Sequence, residues 1–167
     1  MMTYRRFIAA IALLLTGGAA AGPPPDATGR LTVVNPYIRA TAPGQTNTAM
    51  FFTLENLADR RRTLVAVSSL LADRVELHVH RMQNNLAVMR PVRRIAIPAG
   101  ESVTLRPGGL HVMLLGIRQP LKPGGQAAVT LLFEDGARIQ VTVPIRRIRR
   151  ADIAPHDHHR PGLPAPG

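Results

Sequence analysis

Residues 74–90 read "RVELHVHRMQNNLAVMR", the pattern of a β-hairpin. Apolar residues at every second position, namely Val75, Leu77 and Val79, predict the buried face of the first strand. Alternate side chains of a strand point to opposite faces, so His78 and His80 should share the outward face. The stretch therefore predicts a strand with two histidines on one side.

A turn in the middle of this stretch sets how the two strands pair. Asn84 and Asn85 suit a two-residue turn, which would place His80 opposite Met89 and His78 one diagonal step away. A four-residue loop would keep this relation, whereas a three-residue loop would move Met89 to the other face. The preferred register puts a methionine on the histidine face.

The same alternation continues along most of the chain. Short Val-, Leu- and Ile-rich segments begin at Leu31, and turn sequences such as Pro107-Gly108-Gly109 separate them. We expect ten such segments to form strands: "LTVVNPYIRA", "AMFFTLEN", "RTLVAVSS", "RVELHVHRM", "LAVMRPV", "RIAIPAG", "ESVTLRPGG", "LHVMLLGI", "AAVTLLFEDG" and "RIQVTVPI". The pattern favours an all-β sandwich or barrel over residues 31–148, as a single domain.

Both ends of the chain differ from this domain. Residues 1–21 combine a basic start, an apolar run too short to span a bilayer and the small residues Ala19-Ala20-Ala21, which predicts a secretory signal peptide. An uncleaved membrane anchor is the alternative. Residues 22–30 should be a Pro-rich linker, and residues 149–167 a disordered tail rich in His and Pro. We expect an exported protein without stable membrane insertion after cleavage.

Composition narrows the chemistry. The chain has no cysteine, which excludes disulfides, a lipoprotein anchor and a blue-copper centre, so a metal site would have to use His, Met or carboxylate. The net charge of +11 comes almost entirely from arginine and suits either a solvated surface or docking to an acidic partner or anionic membrane. Export makes nucleic acid an unexpected partner.

A second strand repeats the His and Met theme. In "GLHVMLLG", alternation places His111 and Met113 on one face. The four residues His78, Met89, His111 and Met113 are separated by ten, twenty-one and one residues. This spacing resembles the His-x10-Met-x21-His-x-Met signature of the PCuAC-type periplasmic copper chaperones, and "VNPYIRATAPGQTNTAMFFTLEN" and "IPAGESVTLRPGGLHVMLLG" are also similar to that family.

The resemblance covers about residues 31–145 and implies a cupredoxin-like β-barrel that carries one Cu(I) ion. It implies a periplasmic monomer that delivers copper during assembly of the binuclear copper centre of cytochrome c oxidase. The partner would be the copper-bearing oxidase subunit or another copper chaperone. The implied copper ligands are His78, Met89, His111 and Met113.

One position departs from that family's pattern. Members often have Met directly after the first His, where this chain has Val79 followed by His80, which makes His80 a candidate auxiliary ligand. The donor types suit the metal, because thioether sulfur is soft and favours Cu(I), and imidazole accepts several first-row ions. Neutral ligands on an outward face would also suit transfer by ligand exchange.

Other readings stay open. The tail residues His156, His158 and His159 are candidate auxiliary ligands for Cu(II), or simply a solvated end. The chain could be an exported copper-dependent oxidoreductase, but no Ser-His-Asp or paired-carboxylate arrangement is visible, so we expect no enzyme activity. A β-sandwich scaffold without metal, binding through the arginines of residues 60–62 and 146–150, is the other alternative.

Overall fold

The computed structural model describes residues 30–83 and 86–148, and every regular element in these two ranges is a β-strand. The predicted signal peptide (1–21), residues 22–29 of the linker and the tail (149–167) lie outside the described residues. The strands are β1 (Leu31–Arg39), β2 (Asn47–Asn56), β3 (Arg62–Ser68), β4 (Ala72–Gln83), β5 (Leu86–Pro91), β6 (Ile95–Ile97), β7 (Ser102–Leu105), β8 (Leu110–Ile117), β9 (Gln126–Phe133) and β10 (Arg138–Arg146). Each of the ten predicted segments overlaps one strand, although β2, β4, β9 and β10 extend beyond the predicted bounds.

The ten strands form one curled sheet in the order β5-β4-β8-β2-β1-β10-β9-β3-β6, with β7 also paired to β2. Nearly all neighbours are antiparallel. The exception is β1, which runs parallel to β10 and pairs Ile38 with Ile145. This short parallel contact joins the β5-to-β1 half to the β10-to-β6 half, and the curl brings their apolar faces together.

The core follows from strand alternation. In β9, Ala127, Val129, Leu131 and Phe133 are buried, and the residues between them are more exposed. The largest fully buried side chains come from strands of both halves: Phe133, Ile38, Met50, Leu54, Leu64, Ile97, Leu105, Leu114, Leu131, Val112, Val129 and Val143. Packing of these residues fixes which face of each strand turns inward.

One polar side chain is fully buried in this core. The Asn56 amide donates to the carbonyls of Arg60, Ile97 and Pro98, at 2.8, 3.0 and 2.9 Å. Its oxygen accepts a hydrogen bond from the backbone N–H of Ala58 at 3.1 Å. Because every polar atom of the amide is paired, Asn56 ties the end of β2 to the loops before β3 and after β6.

A β-bulge in β1 changes the register of its pairing with β2. The register between β1 and β2 shifts between Val34 and Tyr37, and Asn35 lies in the shifted segment with φ of 50°. The extra residue places Tyr37 directly opposite Phe51. Within the part of the chain described here, no helix has the length and apolar character needed to cross a membrane.

Candidate metal centre

The two histidines of the spacing pattern face each other across neighbouring strands. His78 on β4 pairs directly with His111 on β8. Their ring centroids are 5.9 Å apart, with the rings inclined at 52°. With metal–nitrogen bonds of about 2.0–2.1 Å, two imidazoles that share one ion have centroids roughly 5–6 Å apart. The pair is therefore close enough for one metal ion to lie between the rings.

The His111 ring has one nitrogen in a hydrogen bond and one without a hydrogen-bond partner. Its Nδ1 lies 3.0 Å from the carbonyl oxygen of Gly109, and since a carbonyl only accepts, Nδ1 must carry the proton. Its Nε2 is buried and has no hydrogen-bond partner. Burial lowers the pKa of His111 below its ordinary value of 6.5, and the Gly109 hydrogen bond opposes this effect only in part. The neutral ring therefore offers a lone pair at Nε2.

His78 is held through the other ring nitrogen, Nε2. Its Nε2 lies 2.8 Å from Oε2 of Glu76, and its Nδ1 is buried without a hydrogen-bond partner. The hydrogen bond from His78 is the main cause that lowers the pKa of Glu76, with Arg74 adding to the effect. Since the ionised carboxylate only accepts, Nε2 of His78 carries a proton, and Nδ1 is therefore the nitrogen with the lone pair in the neutral ring.

The two methionines and His80 line the same groove. His80 pairs with Met89 across the β4–β5 hairpin, which is the register predicted from the sequence. A groove of about 290 Å³ lies on this face of the sheet. Its lining includes His80, Met89, His111, Met113 and Phe51. The structure thus gathers two thioethers and two imidazoles on one groove, with His78 beside His111.

The histidine face is less exposed than predicted. The outward face expected for His78 and His111 is largely covered, since the His78 side chain is 13 % exposed and His111 is 4 % exposed. The neighbouring strand β2 helps to cover His111, since the centroid of its Phe51 ring lies 6.3 Å from that of the His111 ring and 5.2 Å from that of the Tyr37 ring. Met89, at 47 % exposed, is the part of the set most open to solvent.

This donor set suits a soft cation better than a hard one. Among residues 30–83 and 86–148, no group of three or more His, Cys, Asp or Glu side chains is arranged to hold a metal ion. A metal at this groove would therefore depend on the sulfurs of Met89 and Met113, which select Cu(I) over Ca²⁺, Mg²⁺ or Zn²⁺. The unpartnered nitrogens Nδ1 of His78 and Nε2 of His111 are consistent with that role.

Three contacts that support the histidines were not predicted from the sequence. They are the hydrogen bond from His78 to Glu76, the hydrogen bond from His111 to the Gly109 carbonyl, and the packing of Phe51 beside His111. The Glu-x-His alternation of residues 76–78 would have indicated the first, because residues two apart on a strand share a face. The Gly109 carbonyl is also local, two residues before His111, but no sequence pattern indicated that the ring would turn back to it. The Phe51 contact depends on which strand lies beside β8, which local patterns do not specify. The tail histidines His156, His158 and His159 lie outside the described residues.

One arginine cluster has a structural role. Arg62 is 3 % exposed and forms an ion pair with Asp135 at 3.0 Å, so it is not part of an open docking surface. Arg60, which is exposed, reaches the same carboxylate at 3.5 Å. In the second cluster, the guanidinium of Arg146 lies 6.0 Å from the Tyr37 ring centroid.

Comparison with known proteins identifies the family. The family model described as "Putative lipoprotein LpqE-like" matches residues 31–145, which is most of the chain and includes all four residues of the spacing pattern. This chain belongs to the LpqE-like family. A relative named "Putative lipoprotein Lxx21020", from Leifsonia xyli subsp. xyli, is 33 % identical over 145 residues, covering 83 % of this chain and 86 % of that protein.

Solved structures add the fold. The copper-bound PCuAC domain from PmoF2 aligns with a TM-score of 0.62 and 27 % identity, covering 72 % of this chain and 95 % of that domain. The Cu(I) form of DR1885 from Deinococcus radiodurans aligns with a TM-score of 0.59 and 31 % identity, covering 72 % and 82 %. The predicted cupredoxin-like all-β fold is confirmed, and the predicted relation to PCuAC domains is supported by these structures under a differently named family model.

Proposed function

We propose that this LpqE-like protein is an exported copper carrier that binds one Cu(I) ion and passes it to another protein. The ligands in this proposal are His78, Met89, His111 and Met113. The observation that carries it is the facing pair His78 and His111, each with a buried ring nitrogen that has no hydrogen-bond partner, where His111 also lines a groove with both methionines. The similar structures named as copper-bound and Cu(I) forms support the choice of metal.

The chemistry of the site suits carriage more than catalysis. Two thioethers and two neutral imidazoles stabilise a closed-shell monovalent ion and lack the thiolate that an oxidising compartment would threaten. The buried histidines would hold the ion, while the half-exposed Met89 gives an acceptor's ligand a place to enter. Release can then proceed by exchange of Met89 first and the histidines afterwards.

His80 has a place in this exchange. It lies opposite Met89 and lines the groove, while its backbone N–H donates to the Gly109 carbonyl at 3.0 Å. That carbonyl also accepts from Nδ1 of His111. We assign His80 as an auxiliary donor that occupies a copper position when Met89 leaves, in place of the methionine that this chain lacks at Val79.

The acceptor and compartment are the finer part of the proposal. The sequence resemblance to PCuAC-type chaperones favours delivery to the binuclear copper centre of cytochrome c oxidase in the periplasm. The N-terminal signal-peptide pattern and the lipoprotein names of the family and of the Leifsonia relative support export. An exported copper oxidoreductase and a metal-free scaffold module are the alternatives.

A copper-transfer assay separates these functions. The protein is loaded with one equivalent of Cu(I) without oxygen, mixed with the metal-free copper-bearing domain of the oxidase subunit, and separated for metal analysis. We expect copper to move to the acceptor from the wild type and from a Met50→Leu control, whose change lies in the core. Copper retained by the wild type would contradict delivery to this acceptor, failure to load would favour the scaffold, and substrate turnover by the loaded protein would favour the oxidoreductase.

A further inference from the structure

Glu76 and the Gly109 carbonyl hold the two facing histidines by opposite ring nitrogens. Glu76 takes Nε2 of His78 at 2.8 Å, and Gly109 takes Nδ1 of His111 at 3.0 Å. Both acceptors force the proton onto the nitrogen that they contact. The remaining nitrogens, Nδ1 of His78 and Nε2 of His111, are buried and without a hydrogen-bond partner.

This arrangement matches how metal-binding histidines are supported. A ligating histidine usually donates its second ring N–H to a carboxylate or backbone carbonyl, which fixes the tautomer and the orientation of the ring. Here one histidine has a carboxylate and the other has a carbonyl. The support for His111 comes from the chain immediately before β8, and the support for His78 depends on a single side chain.

We infer that Glu76 is a positioning residue for His78, an inference that rests on the proposed copper site. By holding Nε2 of His78, Glu76 leaves Nδ1 as the atom that binds copper, whereas His111 binds copper through Nε2. Glu76 does not itself contact the metal in this arrangement. Its position is set by strand geometry, because Glu76 and His78 are two residues apart on β4 and share a face. Glu76 also pairs with Met113 across the β4–β8 ladder, so the carboxylate lies at the edge of the ligand set.

The assignment also gives the site one negative charge. Four neutral ligands leave the charge of Cu(I) uncompensated, and the Glu76 carboxylate would balance it through the His78 ring. Arg74 lies 3.7 Å from the other oxygen of Glu76 and holds the carboxylate from the solvent side. Removing the carboxylate should therefore weaken Cu(I) binding by about 10–100-fold, the usual effect of losing such a support.

Nitrogen-15 NMR of the histidine rings tests the inference, because Cu(I) is diamagnetic and each ring nitrogen is observed separately. In the metal-free wild type we expect His78 protonated at Nε2, and in Glu76→Ala a mixture of its two tautomers. Glu76→Gln keeps an acceptor without the charge and should retain the wild-type tautomer. Glu101→Ala removes an exposed carboxylate elsewhere and should change nothing.

With one equivalent of Cu(I), the signals of His78 Nδ1 and His111 Nε2 should shift while the protonated nitrogens keep their protons. A copper-induced shift at Nε2 of His78, with loss of its proton, would overturn the inference and make Glu76 a group that copper displaces. The same tautomer in the wild type and Glu76→Ala would overturn it as well. If no ring nitrogen of the wild type shifts with Cu(I), the proposed function itself fails, and the inference fails with it.

Discussion

His78 and His111 lie directly opposite each other on β4 and β8, with ring centroids 5.9 Å apart. They are separated by more than thirty residues in the chain, so their meeting is a product of sheet order and not of local sequence. Each ring keeps one buried nitrogen without a hydrogen-bond partner. This relationship turns a spacing pattern into a candidate binding site.

The thioethers should select the oxidation state of copper. Met89→Ala and Met113→Ala remove soft donors, so we expect each to lower Cu(I) affinity by about 100-fold and Cu(II) affinity by less than about tenfold. Competition titrations with chelators of known affinity measure both ions. Met50→Leu is the matched control, because Met50 is fully buried in the core and takes no part in the groove. Equal losses for the two ions would count against thioether ligation.

Acid should weaken copper binding, because protons compete for the ring nitrogens. Burial lowers the pKa of His111 below 6.5, and the neighbouring His78 and His80 add to this effect. Because its pKa is lowered, the His111 ring stays neutral to a lower pH than a free imidazole does. Protonation of His111 therefore reduces Cu(I) affinity only below about pH 6.5. We expect Cu(I) affinity to fall between about pH 7 and pH 5, most steeply in the lower half of that range.

This pH dependence is measured by competition titrations at several pH values, with the chelator's own protonation taken into account. Met113→Ala should bind more weakly at every pH yet keep the same slope, because a thioether does not titrate. An affinity that stays constant from pH 7 to pH 5 would show that histidine nitrogens do not hold the ion.

His80 should affect transfer more than binding. His80→Ala is expected to retain one tightly bound Cu(I) and to slow its release to an acceptor, because the donor opposite Met89 is lost. Stopped-flow transfer to a chromogenic chelator gives the rate, and the Cu(I) stoichiometry is measured in parallel. Should His80→Ala abolish binding as fully as His111→Ala does, His80 would be a primary ligand and the assignment would change.

Asn56 should be a main determinant of stability. Asn56→Ala removes its hydrogen bonds to three buried or partly buried carbonyls and to the backbone N–H of Ala58, so we expect the free energy of unfolding to fall by about 3 kcal/mol. Asn47→Ala removes one exposed hydrogen bond to the Gly116 N–H and should lower it by less than about 1 kcal/mol. Urea unfolding of both variants gives the comparison, and similar losses would contradict the role of Asn56.

The fold was readable from the sequence where short-range rules decide it. Strand alternation and turn residues predicted all ten strands, and the Asn84-Asn85 position predicted the pairing of His80 with Met89. The order of strands in the sheet is a long-range property, and no local pattern indicated that β8 lies between β4 and β2. The sequence spacing therefore suggested which residues belong together without showing how they meet.

The burial of the candidate site depends on the order of the strands in the sheet. The predicted outward histidine face is wrong in its exposure, because β2 brings Phe51 against His111. Strand alternation places Glu76 and His78 on one face, which allows their hydrogen bond. Polar residues two positions apart are common on strands, however, so the sequence alone did not identify this pair. Burial and hydrogen-bond partners were what separated a candidate site from a surface.

An anaerobic Cu(I) titration of the wild type and of the His78→Ala/Met113→Ala double variant tests the central claim most directly. We expect the wild type to bind one equivalent tightly in competition with a Cu(I) chelator, and the folded double variant to lose that equivalent. Met50→Leu should behave as the wild type does. A double variant that keeps the tight equivalent, or a wild type that binds none, would contradict the account.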